Sequence, residues 1–436
     1  MNKKNFDSYI SHEQIVSGFG SQNRQTAKGV RISLPATDTA STDYLNTLED
    51  EICSILRLIK PGMGMQLRWS QDGDFSEYLN AYYERTEQAA VNPWTRRQRQ
   101  QHFIRYAELQ EQGMLRRKQV SLFLHSPLPV GKGRGGTRYE DSLKASANGL
   151  DVLFNEIGRS IKRLGGSTTV LSNDDLFEEC YRHLNPSTQK ISQTDLQAGF
   201  RQDCSVLENC LSGQLAPIEG GDAGFFYDGH YHGFLALRSL PQTTSSGIAD
   251  FLTGMPVGNF SIILNIEPLD VVEEVDLEEG NIARLERSLR HHRKPQIEET
   301  VSFKRERVQR LLSSEVMPFQ LQFLIHAWAP SRETLSDKLG ALKGAFSRMQ
   351  GAKYWEMMLP TTARNCFLAT IPGMPFREND FFLKTEDHTL ANLLPISGGS
   401  NDSLQNTEAI FHGTNGSLLG VSTFAGAAQF FFCKSG

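Results

Sequence analysis

The amino-acid sequence predicts an α+β fold: two mixed α/β units with antiparallel sheets and long helices. Three observations lead there. Amphipathic helix-sized segments alternate with strand-sized apolar ones along most of the chain. Hydrophobic residues make up 39% and charged residues 22%, as in an ordinary globular protein. The apolar runs also stay short, with Phe260–Ile266 and Phe319–Ala329 only strand-sized and polar-interrupted, so none approaches the ~20 residues that span a bilayer. At 436 residues the chain can bury more than one core.

Residues 1–39 are rich in Ser, Asn, Gln, Gly and Thr with weak periodicity, and read as a flexible leader. An N-terminal α+β unit with a helical insertion follows over 40–215. Leu45, Leu48, Ile52, Ile55, Leu56 and Ile59 recur at helical spacing behind Ser41-Thr42-Asp43, predicting a helix over 43–59 that Pro61-Gly62 ends. Met65–Trp69 reads as a strand. A long helical region runs from Phe75 to Met114, interrupted at Asn92-Pro93. Gln119–His125 is a second strand, and Ser126–Arg138, with two prolines and four glycines, a loop. A helix over Tyr139–Leu164 ends at Gly165-Gly166. Thr168–Leu171 is a strand, and an Asn173-capped helix reaches His183. Thr194-Asp195 caps a further helix over Leu196–Leu211.

A second, ferredoxin-like α+β unit covers 216–376. Asp228-Gly229 between Phe225–Tyr227 and Tyr231–Leu237 is a hairpin signal. Ile248–Leu252 is a short helix and Phe260–Ile266 a strand. Leu277–Arg293 and Val301–Leu312 are charged helices around Pro295. Phe319–Trp328 is a strand, Ser331 caps a helix to Met349, and Asn365–Thr370 is the next strand. The sequence shows no short-period internal repeat.

Bulk properties narrow the function. A net charge of −5 gives no global pull toward nucleic acid. Met1-Asn2-Lys3-Lys4-Asn5 has no apolar run behind it and reads as no signal peptide. Cys53, Cys180, Cys204, Cys210, Cys366 and Cys433 are scattered and form no C-x-x-C, which reads as reduced cytosolic thiols.

Local motifs are weak. Gly131-Lys132-Gly133-Arg134-Gly135-Gly136 satisfies G-x-G-x-x-G, but Pro127 and Pro129 separate it from the preceding strand, so a flexible basic loop competes with phosphate cradling. His230 and His232 share a strand face and could chelate a metal, with His291-His292 as another pair, yet no carboxylate or Cys stands at a ligating spacing. Arg96-Arg97-Gln98-Arg99, Arg116-Arg117-Lys118, Arg290–Lys294 and Lys304–Arg307 fall on or beside helices. They are solvated faces or docking surfaces for an anionic partner, and Arg96–Arg105 has the fewest local acids. No G-x-S-x-G elbow or H-E-x-x-H occurs.

The C-terminal stretch is the most pointed. Ala391-Asn392-Leu393-Leu394-Pro395 precedes a Gly- and Ser-containing linker. Gly416-Ser417-Leu418-Leu419-Gly420 and Phe424 come next. The strand-like Ala427–Phe432 then runs into Cys433-Lys434-Ser435-Gly436. With Ala369-Thr370-Ile371-Pro372-Gly373 and Pro375-Phe376-Arg377 upstream, this resembles the approach to the P-loop in the TraC/TrbE-type ATPases of type IV secretion and conjugative transfer, to which the DotO/IcmB group is close. Two departures stand out: Cys433 occupies the place of the usual first loop Gly, and the Gly-Lys-Ser/Thr expected after Gly436 is not in this sequence.

The resemblance implies that 377–436 is a linker and the start of a truncated P-loop ATPase domain, reaching the first strand and P-loop of a missing RecA-like motor. Lys434, Ser435 and Gly436 would begin the nucleotide-binding loop. ATP and Mg2+ are implied for the full-length protein, none for this fragment, which is not expected to hydrolyse ATP alone. The family implies a hexamer, contacts with other type IV secretion inner-membrane components, and a cytoplasmic location peripheral to the bacterial inner membrane. The acidic balance, for its part, leaves no direct nucleic-acid binding expected from this fragment. The competing expectation is a self-contained cytoplasmic scaffold or adaptor without a motor.

Overall fold

The computed structural model describes residues 8–17, 24–35, 37, 40–73, 75–88, 92–112, 114–128, 136–186, 201, 204–211, 216–217, 224–291, 295–374, 381–396, 409–413 and 416–421. Helices pack on an antiparallel sheet, the α+β arrangement that the sequence predicts. Thirteen strands of the described residues form that sheet.

The first half of the chain contributes β1 (Ser8–Ser11), β2 (Gln14–Ser17), β3 (Gln25–Ser33), α1 (Thr42–Arg57), β4 (Gly64–Asp72), α2 (Ser76–Gln88), α3 (Pro93–Glu111), β5 (Arg117–Pro127), α4 (Gly136–Arg163), β6 (Ser167–Val170) and α5 (Asn173–Leu184). The short α6 (Val206–Cys210) follows. The second half contributes β7 (Ala216–Pro217), β8 (Phe225–Tyr227), β9 (His230–Ser239), α7 (Asp250–Thr253), β10 (Phe260–Pro268), α8 (Val271–His291), α9 (Pro295–Leu312), β11 (Pro318–Ala329), α10 (Arg332–Arg348), β12 (Lys353–Glu356) and α11 (Pro360–Ala369). Then come β13 (Leu383–Glu386), α12 (Asp387–Leu393), and a separate hairpin of β14 (Ala409–His412) and β15 (Leu418–Val421).

The two halves repeat one another. Each runs strand, strand, strand, helix, strand, helical hairpin, strand, helix, strand, helix. Each has the antiparallel order β6-β3-β5-β4 or β12-β9-β11-β10, the ferredoxin-like order with a helical hairpin inserted between its second and third strands. The chain carries an echo of this: Gln119–His125 reads QVSLFLH and Gln320–His326 reads QLQFLIH, while Ser33-Leu34-Pro35 recurs as Ser239-Leu240-Pro241.

Equivalent strands β4 and β10 pair antiparallel, so the sheet runs unbroken across the expected 215/216 boundary. Gly64 lies opposite His125, and Ser261 opposite His326, so Gly64 corresponds to Ser261 and Leu67 to Leu264. Leu67 and Leu264 are themselves partners, which places a local twofold axis through that pair, perpendicular to the sheet.

Strand alternation gives the sheet two buried faces. Leu67, Trp69, Ile262, Leu264, Phe323 and their neighbours pack under α1, α4, α10 and α12. Phe123, Ala236, Phe234 and Leu324 face α5, α6 and α11 on the other side. α1 forms because Ser41 accepts from the Tyr44 amide (3.2 Å) and Leu48, Ile52, Ile55 and Leu56 align on one buried stripe. Asp228 (φ 48°) and Gly229 (φ 72°) make the tight β8–β9 turn that Asp-Gly predicts. Among the described residues no helix is long and apolar enough to cross a membrane.

Several expectations are corrected. The expected flexible leader is, over residues 8–17 and 25–33, three strands of the sheet with Ile10, Ile15, Val16 and Val30 buried; their short polar-flanked runs hide the alternation. Asn365–Thr370 is not a strand. Pro360 opens α11, and Ala363, Cys366 and Phe367 face the core at helical spacing. The cap of α5 is Ser172, in a reciprocal box with Asp175, rather than Asn173. Of the helix expected over 196–211, the described part is helical only at α6, capped by Ser205 and Glu208. Within the expected 377–436 linker, β13 pairs with β11 and α12 enters the main core.

Candidate functional site

Alternation on β4 sends Met65, Leu67 and Trp69 to one face and Gln66, Arg68 and Ser70 to the other, where α5 and the end of α11 cover them. The result is a polar chamber of about 370 Å3 between β3, β4, β5, α2 and α5. At its floor Arg68 is buried. It donates to the Thr370 carbonyl (3.0 Å) and to His183 Nδ1 (3.1 Å), while its Nε has no partner. Burial pulls this guanidinium down to about 10, still cationic at neutral pH.

The nearby carboxylates are held by other groups. Glu179 accepts from Arg31 Nε (3.1 Å), Ser121 (3.1 Å) and Gln119. Glu178 accepts from Arg182 (2.8 Å). Arg117 lies 4.9 Å above the Tyr78 ring at the chamber wall.

A string of buried histidines continues from Arg68. Because Arg68 can only donate, His183 Nδ1 accepts and its Nε2–H donates to Thr370 Oγ1 (3.0 Å). His232 Nε2–H donates to the Tyr227 carbonyl (3.1 Å), so its Nδ1 accepts from His326 Nε2–H (2.9 Å) and His326 Nδ1 is left without a partner. The rings stack: Phe225 on His232 at 5.0 Å, Phe234 on His326 at 4.6 Å. Burial pushes His232 down to about 3 and holds His183 and His326 well below the usual histidine value, so all three are neutral.

A second constellation joins α1 to α12. Cys53 Sγ is 3.7 Å from His388 Nδ1, which is 3.2 Å from Glu49, and Cys53, Asp387 and His388 could share an ion. Asp387, however, already accepts from Arg57 (2.7 Å) and from the His388 amide (3.1 Å). Burial, then the Asp387 charge, pushes the Cys53 thiol up to about 12. These contacts make a hydrogen-bonded helix junction.

The residues singled out from sequence fall as follows. Lys434, Ser435 and Gly436, with Cys433, lie outside the described residues, as does the loop 131–135. His230 bonds the Asp228 carbonyl (2.9 Å), whereas His232 is in the core facing His326, so the pair does not converge on one site. Arg96 and Arg97 are exposed on α3, and Arg99 donates to the Thr86 carbonyl. Lys304, Arg305 and Arg307 form ion pairs with Glu278, Glu286 and Glu386. Cys53, Cys180, Cys204 and Cys210 are free thiols, and Cys366 is buried on α11. The chamber itself escaped sequence reasoning; its signal was Arg68 between Leu67 and Trp69 in an apolar strand.

Of the stretches that carry the resemblance, the three among the described residues, 369–373, 391–395 and 416–420, are fastened to the sheet or its helical insertion. The Ile371 carbonyl accepts from Gln66 Nε2 (3.3 Å), and the Gly373 amide donates to Gln66 Oε1 (3.0 Å). Leu390, Ala391, Leu393 and Leu394 are buried in the main core, and Asn392 accepts from Ser246 (3.1 Å). The β14–β15 hairpin docks on the α2–α3 pair. Ile410 and Leu418 pack with Phe75, Leu79, Tyr82, Leu109 and Leu115, the Arg116 amide donates to the Gly416 carbonyl (2.7 Å), and Tyr106 donates to the Ile410 carbonyl (2.6 Å). No protein-family model matches this chain, and no curated protein matches it.

Proposed function

We propose that this chain is the docking and assembly region of a type IV secretion or conjugative-transfer ATPase. In that role it is a non-motor platform, cytoplasmic and peripheral to the inner membrane, and it joins a hexameric motor to other inner-membrane components. The observation that supports this reading is the seat of the β14–β15 hairpin. Gly416–Gly420, which resembles the approach to a P-loop, is fixed to α2–α3 through Ile410, Leu418 and the Gly416 carbonyl. A motor that continued from this hairpin would pull directly on the helical insertion of the first repeat. Lys434, Ser435 and Gly436 would then open the loop that holds the phosphates of ATP with Mg2+.

The experiment compares phosphate release by residues 1–436 and by the gene product read past Gly436. Magnesium-dependent turnover in the long form alone supports the reading. No open frame beyond Gly436, an inert long form, or turnover by residues 1–436 alone refutes it; either of the first two leaves a self-contained scaffold or adaptor.

A further inference from the structure

The chamber around Arg68 has the features of a ligand site that the motor reading does not use. Arg68 is 95% buried, yet no carboxylate lies within ion-pair distance of it among the described residues. Its Nε is buried and without an acceptor. A charge taken out of water without a counter-ion is costly by several kcal/mol, and proteins keep such a charge paired or use it. Glu179, the closest source of compensation, already accepts from three other donors.

The space beside Arg68 is large. About 370 Å3 falls in the range of small-molecule sites, whereas an ion alone would need far less. Among the described residues four guanidiniums line it: Arg31 and Arg182 are held by Glu179 and Glu178, which leaves Arg68 and Arg117, beside the Tyr78 and Trp328 rings. Two guanidiniums, one of them stacked on Tyr78, beside the Trp328 ring suit an anion joined to a flat ring, since guanidinium forks match phosphate oxygens and their planes stack on ring systems. Four guanidiniums against Asp72, Glu178 and Glu179 leave the lining one positive charge in excess, which favours one phosphate over several.

We infer that this chamber binds the phosphate group of a small phosphorylated metabolite of mononucleotide size, with Arg68 and Arg117 as its anion contacts. The Thr370 carbonyl and the α5 residue His183 both bond Arg68, so a ligand here would bear on the joint between α5 and the end of α11.

Calorimetric titration and thermal melting of residues 1–436 test this, with inorganic phosphate and adenosine monophosphate as separate probes at matched ionic strength. The expected result is saturable binding, a melting temperature that rises with probe concentration, and at least a tenfold loss of affinity in Arg68→Met and in Arg117→Gln. Tighter binding of the nucleotide assigns the whole chamber to the ligand, and equal affinity assigns only its phosphate. Arg117 sits at the partly exposed wall, so Arg117→Gln folds and decides the question even where Arg68→Met does not fold. Absence of saturable binding by both probes, or binding that Arg117→Gln leaves intact, overturns the inference.

Discussion

The buried histidines predict a steep loss of stability on mild acidification. His125 is pushed down to about 4 and His232 to about 3, both by burial, against about 6.5 in an unfolded chain. The unfolded chain therefore binds protons that the folded one refuses, so stability falls as pH drops below 6.5 and levels off only near pH 3–4. At pH 5 an unfolded histidine is almost fully protonated, while these two remain neutral. Each then costs about 2 kcal/mol relative to pH 8, or about 4 kcal/mol together. His183 and His326 are shifted the same way and add to the effect. Urea unfolding at pH 8 and pH 5 measures the loss. His232→Gln, which cannot titrate, should flatten the difference by about 2 kcal/mol. A wild-type stability independent of pH between 8 and 5, or an unchanged pH difference in His232→Gln, would refute the tautomer and burial argument.

Further perturbations test other parts of the fold. A side chain at Gly224 (φ 106°) would meet the His232 carbonyl at 1.8 Å, so Gly224→Ala should destabilise by several kcal/mol in thermal or chemical unfolding. Gly149 inside α4 has nothing within 4 Å of an added Cβ, and Gly149→Ala should stabilise by about 0.5–1 kcal/mol in the same assay. Ser172→Ala removes half of the α5 capping box and should cost about 1 kcal/mol. Ile410→Asp places a charge in the cluster that seats β14–β15. Amide exchange in residues 409–421 should quicken while the main sheet keeps its protection.

Much of the fold is legible in residue pattern, and the exceptions have physical causes. α1, β4, β10 and β11 carry strong periodicity with clear stops, and their predicted cores are the buried ones. The N-terminal strands were missed because each is short and flanked by polar residues, and because a strand's partners lie far along the chain. Ser8 and Gln14 are buried on strands that composition alone marks as solvent-facing. α11 was misread because Cys366, Phe367 and Leu368 form an apolar run short enough for a strand. Pro360 was the helix-start signal that arbitrates. The chamber depends on strand register and on α5 crossing the sheet, neither of which a single sequence encodes locally. The duplication was hidden because what repeats is topology, with few identical residues outside two strand pairs.

The twofold through Leu67 and Leu264 bears on the origin of the chamber. A lone copy of the repeat would end in an unprotected strand, ready to pair with a second copy. A homodimer of such copies would hold two identical cavities, one on either side of its axis. In the present molecule Arg68, Ser70 and Ser261 line the chamber, and the positions related to them by the twofold, Asn265, Glu267 and Gly64, line a different cavity of about 260 Å3 beside His125. Within one polypeptide, positions related by the twofold need not carry the same residue. Arg68 is answered by Asn265, and Ser70 by Glu267, whose carboxyl burial pushes above its usual value. Covalent linkage thus turned an enforced symmetry into two addresses of opposite charge in a single sheet.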